Sequence, residues 1–390
     1  MDKPITQIEQ DIQIPNGIPP LSQYYVYLTE GCNLACQHCW ISPKYQANGG
    51  TGGHLKFELL KQAVEEGIPL GLQSVKLTGG EPLLHPDFLR IVDFITEKQL
   101  RLNIETNGIL MTPELARYLK EKSTLYHISL SLDGAKAETH EALRGVKGSY
   151  QKTVNALRML VNEDIHPQII MSLHTGNRDE IEPLVHMAEE MRCNSVKFNL
   201  IMPSGRGEIM KKRGRVMNIQ ELVEVGNWIE GDLQKRVAIM LSYSWPIAFY
   251  GLRRILNRGS DGCGIFQILG ILGNGGIAMC GIGMEIPELC FGTIGVDSIR
   301  DIWYKNPVLC DLRTKLPNEL EGVCGECIFR NQCLGSCVAE NYHDAKRLTA
   351  PFWFCQQAYE NGLFPLNRLQ NNTKDISSYS EFVNERERGQ

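Results

Sequence analysis

Several things are missing from this 390-residue sequence, and each absence narrows what it does. No apolar run approaches the ~20 residues that cross a bilayer, so no membrane span is expected. Basic residues are not in excess: 40 Lys and Arg stand against 45 Asp and Glu, for a formal charge of −5. With no basic–aromatic interleaving either, nucleic acid is not an expected partner. Internal repeats and coiled-coil heptads are absent. The opening Met1-Asp2-Lys3-Pro4 is polar and acidic rather than signal-like, which points to a cytoplasmic protein. Cysteine is scarce only in the middle of the chain, where Cys193 stands alone between Cys39 and Cys263.

Elsewhere cysteine is abundant. Three of the thirteen, Cys32, Cys36 and Cys39, form a tight group, and nine lie between Cys263 and Cys355. Disulfides are disfavoured in the cytosol, so metal binding or thiol chemistry is the default reading. The distribution implies two sites, one near each end.

From about Tyr24 to Glu230 two textures alternate. Apolar, β-branched runs read as strands at Tyr25–Leu28, Ser74–Leu77, Leu102–Glu105, His127–Leu132, Gln168–Leu173 and Ser195–Leu200. Stretches of helical period separate them: Phe57–Glu66, Pro86–Lys98, Pro113–Lys120, Tyr150–Asn162, Asp179–Met191 and Ile219–Leu233. Thr112-Pro113-Glu114 is a start signal, with Thr capping and Pro in the first turn. Repeated strand–helix units imply parallel strands joined by right-handed crossovers. A complete barrel needs eight units and six are visible. The expected fold is therefore α/β, an open, partial (β/α)6 TIM-like barrel, with a doubly wound sheet as the alternative. Glycines multiply across 251–276, and the rhythm stops there. Beyond it, a small cysteine-rich domain held by metal rather than by a large core is expected. The expected division is an N-terminal extension over 1–22, the barrel over 23–235, a linker over 236–262, the cysteine-rich domain over 263–360 and a polar tail over 361–390.

Cys32, Cys36 and Cys39 read C-x-x-x-C-x-x-C directly after the first strand. On a parallel barrel, catalytic loops sit at strand C-termini. Three thiolates rather than four suit a cubane cluster with one iron open to a ligand. A zinc site completed by His38 is the alternative, although structural zinc normally draws on two separated pairs. The sequence resembles the radical S-adenosylmethionine (SAM) superfamily, whose hallmark is such a triplet followed by an aromatic residue; Trp40 follows Cys39. The resemblance implies that a [4Fe–4S] cluster on these three cysteines binds SAM. Reduction then cleaves its carbon–sulfur bond to a 5′-deoxyadenosyl radical.

The resemblance spans the six-unit region. Gly79-Gly80-Glu81-Pro82, after the second strand, looks like the motif that holds the SAM amino group. Two glycines let backbone approach the ligand, and Glu81 offers a carboxylate to an ammonium. By the same resemblance, Asn107 sits after the third strand and Ser131 at the end of the fourth contacts SAM. Arg144 grips the SAM carboxylate through its rigid fork. Asn199 on the sixth strand, with Pro203-Ser204-Gly205-Arg206-Gly207 behind it, lines the adenine and methionine. No catalytic residue is assigned beyond the SAM cluster.

Cys324, Cys327, Cys333 and Cys337 read C-x2-C-x5-C-x3-C, with Cys355 after a gap of seventeen residues. Upstream, Cys263 and Cys280 are joined through Gly275. Seven cysteines do not divide into two zinc ribbons, and the pattern resembles the SPASM domain of radical SAM enzymes. The resemblance implies one or two auxiliary iron–sulfur clusters. Cys324, Cys327, Cys333 and Cys355 would hold a [4Fe–4S] cluster, and Cys337 would join Cys263 and Cys280 at a second. Some relatives have an eighth cysteine shortly before the position of Cys263, which this chain lacks. Its inner cluster thus has an open iron, an oxygen ligand such as Asp261, or a smaller form. Cys290 and Cys310 are spare.

SPASM-bearing relatives mostly modify peptides or small proteins, so crosslinking or oxidation of such a substrate is the expected function. Tetrapyrrole side-chain modification by the same chemistry is one alternative, and a non-catalytic iron–sulfur scaffold is another. The sulfatase-maturing branch typically has a carboxylate just after the glycine-linked cysteine, where this chain has Gly281. Only 31 residues precede Cys32, too few for a leader-binding winged helix, so a peptide substrate's leader is expected to bind a separate protein or the barrel rim itself. The basic run Lys211-Lys212-Arg213-Gly214-Arg215 reads either as a solvated loop or as a meeting point for an acidic leader. A flavodoxin or ferredoxin is the expected electron donor.

Overall fold

Alternation along the strands sets the architecture. The structure, a computed structural model, describes residues 14–258 and 264–370. Among these residues, β1 (Gln23–Tyr27) leads into a short pair, β2 (Gly31–Cys32) and β3 (Lys44–Tyr45). The main sheet adds β4 (Ser74–Thr78), β5 (Arg101–Thr106), β6 (Leu125–Ser131), β7 (Gln168–Leu173) and β8 (Ser195–Leu200). It is completed by β9 (Met240–Tyr243), β10 (Ile268–Ile271), β11 (Gly276–Ala278) and β12 (Cys290–Thr293). The order is β12-β11-β10-β1-β4-β5-β6-β7-β8-β9. Every pair from β10 to β9 is parallel, whereas β11 and β12 run antiparallel.

The expected open α/β barrel is therefore present, with its six strands as β1 and β4 to β8. Two more parallel strands join it, β9 beyond β8 and β10 beside β1. The sheet still does not close, because β9 and β12 are its two edges. The crossovers carry α1 (Phe57–Gly67), α2 (Phe88–Glu97), α3 (Pro113–Lys122), the pair α4 (Ala137–Arg144) and α5 (Ser149–Asn162), α6 (Ile181–Glu190), and the pair α7 (Arg206–Lys212) and α8 (Ile219–Trp228). Thr112 caps α3 as its sequence suggests, its hydroxyl accepting the Leu115 N–H at 3.1 Å.

One face of each strand packs beneath these helices. Tyr24, Val26, Val75, Leu77, Leu102, Ile104, Val196 and Phe198 are buried, and the Tyr24 hydroxyl reaches the Ala63 carbonyl in α1. The opposite face is polar. Gln23 and Asn103 both donate to Ser74, Ser129 donates to Gln168, and Gln168 donates to Ser195. Lys76 and Glu105 form an ion pair at 2.6 Å on the same face. Most TIM-barrel interiors are packed with branched apolar residues; this band of amides, hydroxyls and charges suits a wet, polar lumen.

The chain divides into two compact units. Among the described residues, one comprises 14–218, 224–244 and 264–313; the other comprises 219–223, 245–258 and 314–370. Because β10 pairs with β1, residues 264–313, which the cysteine pattern groups with the C-terminal domain, pack as part of the barrel unit. Aromatic contacts hold the second unit together, with Phe249 edge-on to Phe354 and Phe364.

Candidate active site

The cysteine loop leaves β1 through Thr29 and is stitched to the turn after β4. The Gly80 N–H donates to the Thr29 carbonyl at 2.9 Å, and the Glu81 N–H donates to the Gly31 carbonyl at 3.1 Å. A Cβ on Gly80 would lie 1.9 Å from the Gly31 carbonyl oxygen, so only glycine permits this approach. Gly79 has φ +131°, again a glycine conformation. On its far side the loop is pinned to the end of α4, with Ala35 and Gln37 donating to the Arg144 and Leu143 carbonyls.

Within this frame Cys32 and Cys36 are buried with Leu34, and half-buried Cys39 packs against them. N–H groups point at the sulfurs. Leu34 N lies 3.4 Å and Asn107 Nδ2 3.8 Å from Cys32 Sγ, and an Arg144 terminal nitrogen lies 3.5 Å from Cys36 Sγ. Burial pushes both thiols up from their ordinary range. Thiols in such a place gain little from N–H donors, whereas metal-bound thiolates are stabilised by them. Among the described residues, no three His, Cys, Asp or Glu side chains converge closely enough to hold a single metal ion. The donor set thus fits an iron–sulfur cluster.

The residues that the sequence assigns to SAM lie at the neighbouring strand ends, and four of them, Glu81, Asn107, Arg144 and Asn199, are already engaged within the protein. Glu81 is 1% exposed. Its carboxylate accepts the Thr106 hydroxyl at 2.5 Å, Leu83 N–H at 3.1 Å and Asn107 N–H at 2.9 Å. Burial raises its pKa to about 7 against the pull of those donors. It organises the end of β5 rather than standing open. The Asn107 side chain donates to Asn33 and accepts from Ile109 N–H, which ties β5 to the cysteine loop.

Arg144 is engaged too. Its Nε lies 2.5 Å from Asp133 Oδ2, with side chains 8% and 0% exposed. Burial alone would raise the Asp133 pKa, but Arg144, His38, His140 and the Ser172 N–H together hold it below the carboxylate range. Ser131 ends β6 opposite Ile170, and Asn199 on β8 accepts the Ser244 hydroxyl at 3.0 Å. The sequence reading did not assign Asp133; its signal was Ser-Leu-Asp-Gly eleven residues before Arg144. Thr29 and Thr106 lock the Gly79–Glu81 turn in place; Thr106 belongs to the Thr106-Asn107-Gly108 strand end, whereas Thr29 carries no motif of its own.

In the second unit Cys324, Cys327, Cys333 and Cys355 line one cavity, with Pro246, Ile247 and Phe364 closing it. Phe352 and Phe329 N–H groups point at Cys324 and Cys327 Sγ, both at 3.4 Å. A hydrogen bond from Cys355 lowers the Cys324 thiol, and burial pushes Cys333 up to about 12. Four thiols around one cavity are again a donor set suited to an iron–sulfur cluster. The inner trio is less complete. Cys263 and Asp261 lie outside the described residues, Cys280 belongs to the barrel unit beside Tyr27, and Cys337 precedes the helix Val338–Ala345 in the second unit. Cys290 is exposed, Cys193 is buried, and Cys310 is half-buried against the Tyr304 carbonyl.

Comparison with known proteins bears on this arrangement. Residues 26–188 match the radical SAM superfamily. Among curated relatives, an AdoMet-dependent heme synthase of Methanosarcina barkeri is 29% identical over 330 residues, covering 81% of this chain and 90% of that protein. The mycofactocin maturase MftC of Mycobacterium ulcerans is 26% identical over 340 residues, covering 85% and 87%. Among solved structures, Streptococcus suis SuiB bound to the precursor peptide SuiA superposes with a TM-score of 0.67 at 17% identity, over 86% of this chain and 76% of that one.

Proposed function

This chain is a radical SAM enzyme, and from that premise we propose that it crosslinks or oxidises a peptide or small-protein substrate at the barrel mouth. The observation that carries the site is the buried cysteine triplet, ringed by N–H donors and backed by the Gly79–Gly80 turn. Cys32, Cys36 and Cys39 would hold the [4Fe–4S] cluster. Gly79, Gly80, Glu81, Asn107, Ser131, Arg144 and Asn199 would shape the SAM pocket. Bound there, cluster and SAM supply a 5′-deoxyadenosyl radical by reductive cleavage. The chain's own residues do the rest. Asp133 holds Arg144 in place against the cysteine loop, and Glu81 fixes the β5 end that carries Asn107.

In the C-terminal unit, Cys324, Cys327, Cys333 and Cys355 would hold one auxiliary cluster, with Cys263, Cys280 and Cys337 serving a second. A flavodoxin- or ferredoxin-class protein would deliver electrons, a separate protein would present a peptide's leader, and the cytoplasm would be the setting. Among the described residues no helix is long and apolar enough to cross a membrane. The peptide reading is supported by the maturase relative and by the peptide named in the SuiB complex.

A second reading has its own support. The heme synthase relative has the higher identity of the two curated proteins, so a tetrapyrrole substrate is the rival. The test is anaerobic turnover of the reconstituted chain with SAM and reductant, offering short peptides encoded beside its gene and a tetrapyrrole carboxylate in parallel. A SAM-dependent mass change on a peptide supports the first reading. Conversion of the tetrapyrrole alone replaces it with the second.

A further inference from the structure

At the barrel rim, where β7 and β8 end, three side chains hold buried polar atoms that the fold leaves unmet. His174 follows β7 and is 3% exposed; its Nδ1 accepts the Gly176 N–H at 3.0 Å. That bond puts the proton of the neutral ring on Nε2, which is buried and has no acceptor. Ser204 is 2% exposed and its hydroxyl also has no partner. Two residues on, Nε and one terminal nitrogen of Arg206 are buried and unmet. Buried donors are costly to leave unpaired, most of all on a guanidinium, so such a set marks a ligand's place.

These groups share one locality. Leu173 and Leu200, the last residues of β7 and β8, are in register. The turn that carries Ser204 and Arg206 docks on the cysteine loop, with the Arg206 backbone N–H 3.1 Å from both the Cys39 carbonyl and Ser42 Oγ. The other charges here are committed. Arg144 serves Asp133 and Cys36, Arg215 bonds the Gln37 side chain, and Glu180 accepts from Thr139 and the Lys136 N–H.

We propose that Arg206, His174 and Ser204 form a carboxylate-binding site at the barrel rim that takes an acidic group of the substrate. A guanidinium presents paired donors that match a carboxylate, and the imidazole N–H and hydroxyl complete the set. SAM carries one carboxylate of its own, but its ammonium and sulfonium leave it net positive, so an unbalanced arginine at the rim favours the substrate as the source. The inference rests on the barrel mouth being the active site.

The test uses the reconstituted full chain and the variants Arg206→Met and Arg206→Lys. Because the Arg206 contacts to Cys39 and Ser42 run through its backbone, both variants keep the turn, and unchanged iron content verifies this. Three probe pairs are titrated anaerobically: a glutamate–glycine peptide and its glutamine counterpart, an iron-free porphyrin dicarboxylate and its dimethyl ester, and SAM and decarboxylated SAM. Wild type should prefer one substrate-like carboxylate over its neutral partner by about tenfold. Arg206→Met should erase that preference, Arg206→Lys should restore part of it, and SAM affinity should hold. If Arg206→Met instead weakens SAM about tenfold but spares decarboxylated SAM, the carboxylate site stands and its occupant is SAM, which overturns the substrate assignment. If no pair distinguishes Arg206→Met from wild type, the site itself is overturned. Failure of the wild type to bind SAM at all would refute the underlying active-site reading instead.

Discussion

Replacing Asp133 with Asn removes the negative partner of a buried guanidinium. Among the described residues, Arg144 then keeps its charge with the Cys36 sulfur as its remaining side-chain hydrogen-bond partner. Breaking a buried ion pair from one side typically costs ~3–5 kcal/mol, because the remaining charge is left uncompensated. The introduced amide oxygen would still accept the Ser172 N–H, which lies 2.8 Å from Asp133 Oδ1, so the loss belongs at the lower end, about 3 kcal/mol. The damage should reach the cysteine loop, since the Arg144 and Leu143 carbonyls anchor Ala35 and Gln37. Urea unfolding of Asp133→Asn, Arg144→Met and the double variant gives the coupling directly. Neutralising both partners should cost less than the sum of the single losses by roughly 1–3 kcal/mol. A single-variant loss below about 1 kcal/mol, with additive effects, would refute the claim that this pair holds the site.

Other expectations follow from the same geometry. Gly80→Ala places a methyl against the Gly31 carbonyl, so it should cost ~1–3 kcal/mol and lower iron incorporation at the N-terminal triplet; unchanged iron content and melting temperature would contradict the close-approach argument. Glu81 should give a signed pH effect. Its folded pKa, about 7, lies above the ordinary 4.5, so the stability it contributes is full below about 4.5 and is lost as pH rises through about 7. Glu81→Gln should flatten that slope, and an unchanged pH profile would count against the raised value. With two auxiliary cubanes the reconstituted chain should hold about twelve iron, and Cys355→Ala should remove up to about four. A wild-type count near four would leave the C-terminal cysteines without clusters.

The six strands were legible because each is a β-branched run set between helical periods, and residues 168–173 and 195–200 form strands over the expected spans. Short elements escaped. Helix Ala137–Arg144 and strand Met240–Tyr243 are too brief for a clear period, and β10 joins β1 through a pairing across about 245 positions that no local pattern signals. At the site, the motifs pointed to Glu81 and Arg144, yet not to their partners. Thr106 and Asp133 reach them only through tertiary packing, and Asn107, which the sequence does single out, meets Glu81 the same way; that packing decides whether a carboxylate or guanidinium stands open or is spent within the protein. The orphan donors of His174, Ser204 and Arg206 are a property of burial and tautomer, and spacing carries no trace of either. Cys263 and Asp261 lie outside the described residues.

The central claim is that Cys32, Cys36 and Cys39 hold the group that cleaves SAM. The measurement is 5′-deoxyadenosine formation by the anaerobically reconstituted chain with SAM and dithionite, beside a variant with all three cysteines changed to Ala. Wild type should form the nucleoside, and the triple variant should form none while still carrying iron at its C-terminal cysteines. Equal nucleoside formation by the two proteins would contradict the account.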